Sequence, residues 1–74
     1  MRNREEIYGK GFTYLVTRRI LPGDNGRLRV RVQMWDGFTT SDKPVRDDYK
    51  DYDGAAGDVA FYRLVTQITR HCEK

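Results

Sequence analysis

The sequence predicts a small two-layer α+β domain, in which an antiparallel β-hairpin packs against one C-terminal amphipathic helix. A third strand joins the hairpin if a short edge segment adds to it. Three observations lead there. Two stretches, "FTYLVTRRIL" and "GRLRVRVQMW", are rich in β-branched and aromatic residues or alternate apolar with polar ones. Between them lies "PGDNG", the densest turn chemistry in the chain. Near the end, Phe61, Leu64, Val65, Ile68 and Cys72 recur at the spacing of one helical stripe.

Taken in order, residues 1–10 carry charge and glycine without hydrophobic periodicity and read as a flexible basic arm. Residues 11–74 then form a single domain, with an acidic loop at 42–57 inside it. The first two strands are expected to meet through a three-residue loop, Asp24-Asn25-Gly26, with Gly26 in the left-handed conformation. Gly23 then faces Arg27, Ile20 faces Val30 and Val16 faces Met34. That register gathers Phe12, Tyr14, Val16, Ile20, Leu28, Val30, Val32 and Met34 on one face, whereas a shift by one residue would mix the faces. Arg18 is the exception, falling on the apolar side. Asp36-Gly37 signals a second turn, and "FTTSD" (38–42) would be the third strand, with Pro44 confining it to an edge.

The helical segment begins at Asp58, or at Asp53 if it starts earlier, either of which can cap a first turn. Its apolar stripe has one surface to cover, the even-numbered face of the hairpin. Burying each large side chain there is worth about 1.5–3 kcal/mol.

A chain of 74 residues with one cysteine has neither a disulfide nor a zinc framework to staple it. Self-association into a homodimer is the remaining route to extra stability. The lone Cys72, the absence of a secretory pattern at the start and the absence of a long apolar run predict a cytoplasmic protein without membrane contact.

Charge is distributed unevenly. Residues 1–35 hold eight basic and three acidic side chains, 36–58 hold three basic and seven acidic, and 59–74 hold three basic and one acidic, for +3 in all. The odd-numbered hairpin face carries Arg19, Arg29, Arg31 and Trp35, with Arg27 close by. Guanidinium groups pair with phosphate or guanine edges, and an indole can stack on a base. The leading expectation is therefore a non-catalytic module that binds DNA or RNA through Arg19, Arg27, Arg29, Arg31 and Trp35, with Arg2 and Arg4 of the arm adding phosphate contacts. The bland counterpart is a charged solvent face that keeps a one-sided sheet soluble.

The alternative is a small protein–protein module or inhibitor, of the accessory type that phages and mobile elements encode, docking on a larger protein or nucleoprotein complex. It would use the arginine face, the loop residues Asp48, Tyr49, Asp51 and Tyr52, or both, since tyrosine and arginine are enriched at interfaces. In element order alone, the expected fold resembles small three-stranded-sheet-plus-helix DNA-binding modules such as the arm-binding domains of phage-type integrases.

Catalysis, metals and cofactors find no support. His71 and Cys72 are adjacent, and successive helix positions do not face each other. "DYKDYDG" falls short of a calcium loop, with Tyr49 at its first ligand position and Ala60 at its twelfth. No glycine-rich phosphate cradle occurs.

Overall fold

A computed structural model describes residues 3–23, 26–41 and 43–73. Four strands and one helix follow in chain order: β1 (Arg4–Gly9), β2 (Phe12–Ile20), β3 (Leu28–Asp36), β4 (Arg46–Tyr52) and α1 (Gly54–Glu73). The strands form one antiparallel meander in the order β1-β2-β3-β4. The α+β class and the single C-terminal helix are as the sequence indicates, but the sheet has four strands.

The expected arm is β1. Its pairing with β2 runs from Arg4↔Thr17 to Gly9↔Phe12, leaving Lys10 and Gly11 as a two-residue turn. Both have positive φ, 54° and 82°, the requirement of the I′-type turn whose twist suits a tight hairpin. Of the arm, Met1 and Arg2 lie outside the described residues.

The β2–β3 register differs from expectation by two residues. Ile20 faces Leu28 and Val16 faces Val32. A shift of two preserves the alternation, so every side chain keeps its expected face. Pro22, with its fixed φ, lies outside the ladder and opens the turn. Pairing ends one step before it, where the Leu21 amide donates to the Arg27 carbonyl at 2.9 Å. Gly23 and Gly26 then turn the chain with φ of 73° and 75°. Asp24 and Asn25 of the expected three-residue loop lie outside the described residues.

The proposed third strand at 38–42 is not one: residues 38–41 are irregular, and Asp42 lies outside the described residues. The edge strand is formed instead by "RDDYKDY", within the stretch expected to be an acidic loop. This segment lacks the composition of a strand. What supports it is side-chain pairing with β3, described below.

Helix α1 starts at Gly54. The Gly57 amide donates to the Asp53 carbonyl at 3.3 Å, which makes Asp53 the residue at the cap position. Its stripe covers the even face, and the core is Val16, Val30 and Phe61, with Val32, Tyr52, Ala60, Leu64, Val65 and Ile68 packed around them. Two glycines bring helix and sheet into close approach. A Cβ on Gly57 would sit 2.8 Å from Leu28 Cβ, and one on Gly9 would sit 2.4 Å from Cys72 Cβ. The helix therefore starts over β3 and β4 and ends over β1. Arg18, the odd residue on the apolar face, is held by Asp58 of the helix and by Asn3 Oδ1, which accepts from its Nε at 3.1 Å. Asp58 is thus an ion-pair partner within α1, not its cap.

Among the described residues, no helix is long and apolar enough to cross a membrane.

Candidate functional site: the open face of the sheet

No strand or helix covers the face opposite α1 among the described residues, although Thr13, Leu15 and Trp35 at one end of it are buried. Alternation and register set its side chains in rows that cross the strands. One row reads Tyr8, Thr13, Trp35; the next Glu6, Leu15, Gln33, Asp47; then Arg4, Thr17, Arg31, Tyr49; and last Arg19, Arg29, Asp51.

The arginines and the acidic strand meet here. Arg29 donates from Nε and Nη2 to the two carboxylate oxygens of Asp51, at 2.8 and 3.2 Å. Arg31 donates in the same forked manner to Asp47, at 2.7 and 2.5 Å. Both are bidentate pairs, the geometry in which a guanidinium is most specific and most strongly held. The Arg29 guanidinium also lies 4.1 Å from the centre of the Tyr49 ring, a cation–π stack. The Asp47 and Asp51 carboxyls titrate below the ordinary carboxylate range because of these hydrogen bonds, and Arg29 and Arg31 titrate above theirs for the same reason.

This pairing explains β4. Asp47, Tyr49 and Asp51 recur every second residue, matching Arg29, Arg31 and Gln33 on the neighbouring strand. Opposite charges across a strand pair stabilise the sheet locally. Complementary alternation was the signal that composition concealed.

The remaining expected residues divide. Arg19 is exposed and has no ion-pair partner among the described residues. Arg27 sits where β3 begins, its Nη2 donating to the Asp51 carbonyl at 3.4 Å and its Nε 3.7 Å from Asp53 Oδ1. Trp35 is 5 % exposed, so it offers no stacking platform. It belongs to a small apolar patch with Thr13 and Leu15, both also buried. In its row Thr13 lies between two large rings, and its hydroxyl donates to the Gly37 carbonyl at 2.8 Å. Strand alternation also splits the Tyr/Asp set. Tyr49 and Asp51 lie on the open face, whereas Asp48 and Tyr52 lie on the helix side.

Sequence reasoning passed over two aromatic residues at the other end of this face. Tyr8 and Phe38 are both exposed, with ring centroids 6.2 Å apart. The Tyr8 hydroxyl donates to Glu6 at 2.5 Å, and Arg4 pairs with the same carboxylate at 2.5 Å. The Glu6 carboxyl is lowered by the Tyr8 hydroxyl first and Arg4 second, and the Tyr8 phenol is raised by Glu6. The face is therefore a mosaic of paired charges, with Tyr49 on its β4 edge and the Tyr8–Phe38 pair at one end.

Among the described residues no group of three or more His, Cys, Asp or Glu side chains converges in a way that would hold a metal ion. Comparison with protein-family models, curated proteins and solved structures finds no match to this chain.

Proposed function

We propose that this chain is a non-catalytic binding module that docks on the surface of another protein through the open face of its sheet. The observation that carries the reading is the pair of forked Arg–Asp bonds under Tyr49. Arg29 and Arg31 are already engaged by Asp51 and Asp47, so a phosphate backbone would have to displace both carboxylates. A protein surface of mixed charge meets such a mosaic without breaking it. The arginines are also ordered before binding, which lowers the entropy lost on association. Tyr8, Phe38 and Tyr49 supply exposed rings of the kind that anchor interfaces.

One observation favours nucleic acid as a second reading. Arg19 is exposed beside Arg29, and Arg27 lies at the same end of the sheet.

Site-specific photo-crosslinkers at Tyr8, Tyr49 and, as a control on the outer helix face, Tyr62 separate these readings in cells that produce the protein. Docking through the open face yields the same protein adduct from Tyr8 and Tyr49 and none from Tyr62. Adducts from Tyr62 alone, or none from any position, overturn it. Adducts that nuclease removes transfer the reading to nucleic acid. In that case duplex affinity should fall with log salt at a slope near −0.9 per phosphate contacted.

A further inference from the structure

The helix side of the sheet is only partly covered. Four strands present a face roughly 19 Å wide, and one helix covers roughly 10 Å of it. Helix α1 lies mainly over β1, β2 and β3, leaving β4 beyond its reach except near Gly57. Between α1 and β4 lies a groove of about 560 Å³, flanked by two smaller hollows, one sharing Lys50, Tyr52 and Leu64 with it and the other Gln67. The groove follows the helix from Ala56 to Gln67, roughly 16 Å at 1.5 Å per residue, and the hollow beyond it reaches His71.

The floor of this groove is apolar. Val32, Tyr52, Ala60 and Leu64 all belong to the partly buried rim of the core, so each has one side on the core and the other on the groove. Its two walls are basic, with Lys50 on β4 and Arg63 on α1, both exposed. Farther along, Arg46 and His71 line the adjoining hollow. The carboxylate on that side, Asp48, is engaged by Arg46 at 2.6 Å.

We infer that this groove takes an amphipathic helix from a partner protein, its apolar stripe on the floor and acidic residues along both flanks. The vacant lane is about one helix wide, and the sheet beneath it would then carry two helices. Charge complementarity decides the flanks, since Lys50 and Arg63 face each other across the apolar strip. A second copy of this chain is a poor occupant. Its one helix among the described residues spends its apolar stripe on its own sheet and carries Arg63 and Arg70 on its exposed side. The surface is opposite the Arg–Asp face, so this inference stands independently of the proposed docking there.

The test is a displayed library of peptides about 16 residues long, with leucines fixed along one helical stripe and the flanks randomised among Glu, Lys, Ser and Gln. It is selected against the whole protein and against Lys50→Glu/Arg63→Glu, whose exposed positions leave the fold intact. Enrichment of Glu flanks on the wild type and of Lys flanks on the double variant is expected. The best acidic peptide should bind the variant at least about 10-fold more weakly, by fluorescence anisotropy, and should perturb amide resonances of β4 and the groove side of α1. No Glu enrichment, the same enrichment on both proteins, or perturbations confined to the open face would overturn the inference. So would sedimentation showing a dimer that excludes the peptide.

Discussion

Arg18 and Asp58, forty residues apart, form an ion pair that joins the end of β2 to the first turns of α1. The Arg18 side chain is only 13 % exposed, on the apolar face of the sheet. Removing its partner strands a largely buried charge. Asp58→Ala is expected to cost about 1.5–3 kcal/mol, the range for a hydrogen bond to a charged group. Adding Arg18→Met should recover part of that loss, because the uncompensated charge then disappears. Urea denaturation of the two single variants and the double variant measures the coupling. Simple addition of the two losses would mean that the pair is incidental.

Gly57 sits where α1 touches the sheet. Alanine ordinarily stabilises a helix by up to about 1 kcal/mol over glycine. Here its Cβ would meet Leu28 Cβ at 2.8 Å and Tyr52 Cβ at 3.4 Å, atoms fixed to their backbones. Overpacking costs about 1–3 kcal/mol, so Gly57→Ala should lower the melting temperature. Gly54→Ala has nothing within 4 Å and should leave it unchanged or raise it. A higher melting temperature for Gly57→Ala would show that the approach of helix to sheet is looser.

The Arg29–Asp51 and Arg31–Asp47 pairs predict an acid-sensitive sheet. Both carboxyls titrate below their unfolded values because of the guanidinium hydrogen bonds. Their contribution to stability is therefore complete above the unfolded carboxyl pKa, near 4, and is lost as pH falls through the lower folded values. Denaturant midpoints between pH 7 and pH 2 should fall more steeply for wild type than for Asp47→Asn/Asp51→Asn. Parallel curves would detach these pairs from stability.

Trp35 is the chain's one tryptophan and is nearly enclosed. Its native emission should lie to the blue of the unfolded protein, with iodide quenching it weakly until denaturant is added. Trp35→Ala should cost about 3–5 kcal/mol, as for other large aromatic truncations. Strong quenching in the native state would restore the exposed platform that strand alternation alone suggests.

Much of the core was legible because burial imposes a period. Val16, Val30 and Phe61 announce themselves through two-residue and helical spacing, and even a register shifted by two leaves them on the same side. Both outer strands were hidden because neither "REEIYG" nor "RDDYKDY" buries enough apolar surface to show a hydrophobic rhythm. Their pairing rests on neighbours: a glycine-containing turn for β1, and for β4 carboxylates set opposite Arg29 and diagonal to Arg31. The arginines of the open face were found, but their acidic partners were assigned to a loop. A one-strand reading cannot see that a charge is answered from the next strand.

The meander has a kinetic corollary. Every strand pairs with its neighbour in sequence, through connections of two, seven and nine residues, so strand pairing needs no crossover and the β1–β2 hairpin is the most local contact to close. The contacts of greatest sequence separation belong to the helix, through Asp58 on Arg18 and Cys72 against Gly9. Docking of α1 is then the step that welds separate hairpins into one cooperative unit. Until it happens, β1 is held by β2 alone and β4 by β3 alone, and these two edge strands should be the first to exchange their amide protons.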